Sequence, residues 1–244
     1  MDTHTIHTIA AHAHTTTGTD STRRHALAQR AKTGDLVRIA PGYYLDTEAI
    51  TTHPEPSFVV ILARMLALRD KHPHLIASGP TAAYLQGLPL LCEHPLHFTT
   101  ISDQHPRPIA LPTIHTSSLV FPAVTVRPHR QRQRRSPTMI HYSDDIVGTA
   151  LEDTIIECAL TLDQEEAFVV ACAGLHELAR YRRFYRDDSR QREENNRSRL
   201  LRLIGSVGPH TPGRTSARWV ITHADAGCDS AGESRLLYLL TKAS

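Results

Sequence analysis

Apolar positions recur at helical spacing along most of the chain, in stretches separated by residues that stop helices. From Asp20 to Thr33, Leu27 and Ala31 share one side while Thr22, His25, Gln29 and Lys32 share the other. This spacing predicts a helix capped by Asp20 or Ser21 and stopped by Gly34. Leu36, Val37, Arg38 and Ile39 then read as a strand, Pro41-Gly42 as a turn, and Tyr43-Tyr44-Leu45 as a return strand. Helix followed by hairpin is the second half of a winged helix-turn-helix. Upstream, between Met1 and Thr19, Ile6 and Ile9 are the only sizeable apolar side chains after the initiator, so the segment reads as a tail or an eroded first helix.

Beyond the linker at Thr51 to Pro56, a helix is predicted from Ser57 to about Lys71. Phe58, Ile61, Leu62, Met65, Leu66 and Leu68 cover more than a narrow stripe, so this helix should lie between other elements. A shorter helix starts at Pro80 and stops at Gly87. Pro-rich segments then separate extended runs at Leu96 to Ile101, Leu119 to Arg127 and Met139 to Tyr142, which suggest a small sheet with long connections. Helical patterns return with capping-box spacing at Thr149/Glu152 and with the same signal at Asp163/Glu166. Ser189 to Ile204 is Arg-rich and amphipathic, Thr211 to Thr222 is a further helix, and Ser230 with Glu233 caps a last one bearing Leu236, Leu237, Leu239 and Leu240.

Charge changes this picture through its distribution, since 27 basic against 25 acidic residues leave a formal net charge of only +2. His141 to Leu178 holds nine carboxylates and no Lys or Arg, whereas Phe121 to Tyr142 holds five Arg and no acid. Such segregation fits intramolecular pairing or a basic face focused on a polyanion. The densest patch is RPHRQRQRR, in which Arg127, Arg130, Arg132, Arg134 and Arg135 form a candidate phosphate-binding arm, a solvated loop, or a loop docked on the acidic helices. Arg180 to Arg202 carries nine Arg, but Asp187, Asp188, Glu193 and Glu194 favour ordinary pairing on a helix surface.

The candidate DNA-reading set is Thr22, Arg23, Arg24, His25, Gln29 and Lys32 on the first helix and Arg38 on the hairpin, because a reading helix must turn polar side chains toward base edges while flanking cations meet phosphate. For catalysis the chain offers little. Cys92, His94 and His97 resemble half a metal set by spacing alone, and His4, His7, His12 and His14 have no nearby carboxylate or cysteine to complete one. No glycine-rich phosphate loop and no HExxH motif occurs. Four widely spaced cysteines, without a CxxC pair, argue against a disulfide framework, and Cys158 and Cys172 read as buried thiols. The best apolar stretch, Phe58 to Leu68, is interrupted by Arg64, so no membrane span or signal peptide is expected.

In its order of segments the chain resembles the AbiEi-like antitoxins of actinobacterial type IV toxin-antitoxin systems. The hairpin pattern of that family, G-x-L-V-R-V-x-x-G-V-Y, is matched by Gly34-Asp35-Leu36-Val37-Arg38-Ile39-Ala40-Pro41-Gly42-Tyr43-Tyr44. Its S-x-x-A-A-x-L-x-G-L-P-L run corresponds to Ser78 through Leu90 with one extra residue, and its T-S-P-x-R-T-x-x-D-x-A segment to Val147 through Ala159, where Asp153 and Glu157 replace the family's arginine and aspartate. Ser230 to Leu236 is similar to the opening of a DUF559-type endonuclease-like domain, including its first-helix glutamate at Glu233. The sheet that would complete a nuclease metal site is not expected in this chain, so no such centre is expected either.

Pattern and resemblance together imply an α+β, mainly helical fold. Residues 1–19 would be the tail or eroded helix, 20–50 a degenerate winged helix, 51–225 a mixed regulatory body and 226–244 a truncated endonuclease-like start. The implied function is a DNA-binding regulator or antitoxin-like protein without catalysis, cofactor or metal, located in the cytoplasm. Expected partners are double-stranded DNA, a cognate toxin and a second copy of the chain, with no membrane. The alternatives are a protein-binding antitoxin relative with a decayed reader and a non-catalytic nuclease remnant.

Overall fold

Ile6 and Ile9, one helical turn apart, are both buried and anchor the start of the chain. The computed structural model describes residues 3–93, 95–100, 107–126, 128–130, 138–143 and 146–243, and of residues 3–5, 130 and 143 the backbone alone. The two isoleucines lie on helix α1 (Thr3–Ala11), which is followed by strand β1 (Ala13–Thr15). Next come α2 (Ser21–Thr33), β2 (Leu36–Ala40) and β3 (Tyr43–Asp46), close to the predicted boundaries. Because β1 pairs antiparallel with β3, the hairpin becomes a three-stranded sheet in the order β1-β3-β2. Gly42, at φ +74°, closes the turn where any Cβ would stand 2.4 Å from the Thr16 hydroxyl.

A short helix α3 (Thr47–Thr51) leads into α4 (Pro56–Lys71), whose residues from Val59 to Leu68 are buried apart from Ile61, which is partly covered. This helix does lie between other elements: it packs against α1, α3 and β2. After it come β4 (Leu75–Ala77), α5 (Gly79–Leu85), β5 (Phe98–Thr100), β6 (Ile109–Leu111), β7 (Ile114–His115), β8 (Val120–Phe121), β9 (Val124–Val126), β10 (His129–Arg130), β11 (Met139–Ser143) and β12 (Ile146–Thr149). Five of these strands form a mixed sheet in the order β10-β5-β4-β12-β11, with β4 antiparallel to β5 and parallel to β12. β6 pairs with β9 and β7 with β8, as two ladders of one hairpin interrupted at Pro112 and Pro122. The small sheet expected from the extended runs is thus divided, and its centre is made by β4 and β12, two short buried strands without alternation.

Helices α6 (Leu151–Thr161), α7 (Gln164–Ala179), α8 (Arg186–Ser206), α9 (Arg214–His223) and α10 (Ala231–Ala243) complete the chain around a second apolar cluster. Phe168 lies at its centre, with the rings of Trp219 and Tyr238 at 6.0 and 5.6 Å. Tyr238 comes from α10, so this helix packs onto α7 within the same cluster. The fold is therefore α+β and predominantly helical, with open sheets. Among the described residues no helix is long and apolar enough to cross a membrane. One cap differs from its sequence reading. Thr149 does not cap α6; Ala150 takes that position, and the fully buried Thr149 hydroxyl bonds Thr154 and Glu157.

Gly213 is the tightest backbone approach in the helical cluster. It precedes α9 at φ +82°, and a Cβ there would lie 2.2 Å from the carbonyl oxygen of Leu160. Gly213→Ala is expected to lower the melting temperature by about 5–10 °C. Gly205→Ala, in open space near the end of α8, serves as the control in the same thermal scan and should leave the melting temperature unchanged or slightly raised.

Candidate nucleic-acid interface

Asp20 and Gly34 set the ends of α2. The Asp20 carboxylate accepts the Arg23 backbone N–H at 2.8 Å, and Gly34, at φ +89°, closes the helix in the left-handed region. Between them Leu27 is the only buried residue, with Ala28 and Ala31 partly covered. Thr22, Arg23, Arg24, His25, Gln29 and Lys32 are all exposed, as is Arg38 on β2. A 13-residue helix secured by one leucine leaves most of its surface available to a partner. Its principal neighbour within the chain is β2.

Asp46 holds that helix to the sheet. Its carboxylate receives a ring nitrogen of His12 at 3.1 Å, a ring nitrogen of His14 at 3.1 Å and the Arg30 guanidinium at 3.2 Å. Burial works against ionisation of this carboxyl, but hydrogen bonds from His14 and His12 and the charges of His14 and Arg30 outweigh it and hold its pKa below the ordinary value. Three elements, β1, α2 and β3, therefore meet at one anion. Sequence reasoning finds no role for His12 and His14; the only signal is Asp46 at the end of a hairpin strand, 34 and 32 positions away respectively.

The basic arm is not assembled with this surface by anything described. Arg127, Arg132, Arg134 and Arg135 lie outside the described residues, and of Arg130 only the backbone, in β10, is described. Nor does α1 pair with α2 as in a helix-turn-helix; it packs on α4 and β11. In the other Arg-rich stretch, Arg190 and Arg197 pair with Glu193, Arg197 also with Glu194, and Arg199 with Glu152.

Several of the remaining candidates have structural partners. The Cys92 thiol faces the Glu166 carboxylate; the residue is exposed, but local desolvation beside that carboxylate and the Glu166 charge push the thiol pKa up. His97 stacks on His129 with centroids 5.7 Å apart, while His94 lies outside the described residues. Cys158 and Cys172 are buried. The Glu233 carboxylate accepts the Asp229 backbone N–H at 2.7 Å while Ser230 caps the Glu233 N–H, so this acid closes the start of α10. Two segments distant in sequence, Ser78 to Leu90 and Val147 to Ala159, pack together: α5 lies on α6, and the Gly79 N–H donates to Glu157 at 2.9 Å.

Compared with known proteins, the chain matches no family model and no curated sequence.

Proposed function

We propose that residues 3–46 form a reading unit for double-stranded DNA and that the chain acts as a DNA-binding regulator, antitoxin-like in organisation, without catalysis of its own. The observation that carries this reading is α2: its polar residues are exposed, a single leucine anchors it, and the strand order β1-β3-β2 behind it is compatible with a winged unit. In this reading Gln29 faces adenine in the major groove, Arg23, Arg24 and Lys32 meet phosphate or guanine, and Arg38 touches backbone from the wing. α2 works without a paired preceding helix, so the Asp46 cluster supplies the orientation that helix would give.

Fluorescence anisotropy with a labelled random-sequence duplex tests the reading. Binding near 50 mM salt is expected, with an affinity that falls steeply as salt rises. Replacing Arg23, Arg24 and Lys32 together by Ala should weaken binding across all sequences and reduce the salt slope by about one for each phosphate no longer neutralised. An unchanged affinity and slope in the triple variant would remove α2 as the DNA-binding surface.

A protein-binding role is the second reading, favoured by Leu236, Leu239 and Leu240, which stand 57 to 60% exposed on one side of α10. Concentration-dependent sedimentation of the chain, abolished in a Leu236→Glu, Leu240→Glu variant, would favour it over DNA reading.

A further inference from the structure

Arg64 is only 5% exposed on α4 and has no carboxylate partner among the described residues. One of its terminal nitrogens donates to the carbonyl oxygens of Pro112 and Pro122, at 3.0 and 2.8 Å, where the β6–β9 hairpin ladder breaks. Its Nε–H finds no acceptor among those residues. Burial of a guanidinium disfavours the charged form, and the Arg64 pKa is accordingly lowered. The two carbonyls explain why an arginine is tolerated between apolar helices, but they supply partial charge only, and no counter-ion stands beside it among the described residues.

Arg64 lines a cavity of about 540 Å3 between α4, α5, the loop after α5 and the β8–β9 turn. Most of the remaining wall is apolar, with Val60, Ile61, Leu88, Leu90, Phe121 and Val124. Tyr84 also lines it, with a hydroxyl that makes no hydrogen bond among the described residues. Glu93 stands at the exposed rim and is the only acid in the described wall. A concave apolar chamber of this size with one cation and one phenol has the composition of a small-molecule site.

We propose that this cavity binds an organic acid with an apolar body, its anionic group paired with Arg64 and Tyr84 and its hydrocarbon against Ile61, Leu90 and Phe121. The charge assignment follows from the buried guanidinium, which has no carboxylate partner among the described residues, and the apolar body from the wall. A cationic amphiphile would meet Arg64 as a like charge. A neutral one would leave Arg64 as it stands, so neither should compete with an anion of the same shape. The site is independent of the DNA reading, because no part of α2 contributes to it.

Isothermal titration calorimetry on the full chain decides the matter with decanoate and 2-naphthoate as flexible and flat probes. Decylamine and 2-naphthylmethanol serve as controls of matched shape. At least one acid is expected to saturate a single site below about 1 mM, with its control about tenfold weaker or more. Arg64→Met should weaken the acid about 10- to 100-fold, while Arg64→Lys, which keeps the charge, should weaken it less. If Arg64→Met fails to fold by circular dichroism, the comparison of acid with control on the parent chain carries the test alone. Absence of saturable binding by both acids, or equal binding of acid and control, would overturn the proposal.

Discussion

Replacing Glu193 by leucine is expected to lower the unfolding free energy by about 3–5 kcal/mol, a large share of the stability of an ordinary domain. Glu193 is 2% exposed and accepts from Arg190 at 2.8 Å, from Arg197 at 2.5 Å and from the Ala226 N–H at 3.1 Å. Arg197 in turn donates to the carbonyls of Ile221, Thr222 and Ala224, which end α9. One carboxylate thus compensates a largely buried guanidinium that caps another helix and also fixes the connection toward α10. Leucine removes the buried half of that compensation, leaving Arg197 with only the exposed Glu194 at 3.3 Å for a carboxylate and the Ala226 N–H without an acceptor. Glu193→Gln keeps an acceptor and should cost less. Urea unfolding with an unchanged m-value measures both variants. Adding Arg197→Met to Glu193→Leu should recover only part of the deficit, because methionine cannot cap α9. Full recovery would show that Arg197 serves the ion pair alone.

What the sequence makes legible follows from the range over which each signal acts. The α2 hairpin unit can be read because its determinants are local: an aspartate cap, a glycine that adopts positive φ, and a Pro-Gly turn all lie within 23 positions of one another. The same holds for α7, where Asp163 accepts the Glu166 N–H at 3.0 Å. Even there the reciprocal half of the expected box is absent. The Glu166 side chain turns away to accept the Leu91 and Cys92 N–H groups, an arrangement that depends on a loop 74 residues away. Strands β4 and β12 give no periodic signal because both faces are covered, so Leu75-Ile76-Ala77 carries no alternation. Arg64 interrupts an apolar run and is informative in the sequence only as an argument against a membrane span. Its actual setting needs the two proline carbonyls of a hairpin about 50 residues downstream. In the reading surface, the exposed stripe of α2 is legible, whereas the Asp46 cluster that orients it is not, since nothing local joins His12, His14 and Asp46.

Glu157 is expected to make stability fall as pH rises between about 4.5 and 7. Burial pushes its carboxyl up from the ordinary 4.5 to about 7, reinforced by the Asp153 charge and opposed by hydrogen bonds from the Gly79 N–H and the Thr149 hydroxyl. The folded chain therefore binds this proton more tightly than the unfolded chain. Its contribution is fully present below about pH 4.5 and is lost as pH passes the folded value, by about 3 kcal/mol in total. His72 acts in the opposite sense in part of the same window. Its pKa is lowered by burial and by the charges of His74 and Lys71, so its contribution grows as pH rises toward 6.5. Asp46, with a lowered carboxyl pKa, loses its contribution only below about pH 4. The parent curve alone mixes these effects, but the difference between parent and Glu157→Gln isolates one of them. Glutamine retains an acceptor for the Gly79 N–H and carries no charge, so the variant should gain on the parent by up to about 3 kcal/mol between pH 4.5 and 8. Urea midpoints taken at intervals across that range measure the difference. Parallel curves would mean that Glu157 ionises as freely in the folded chain as in the unfolded one, and that the junction of α5 with α6 is open to water.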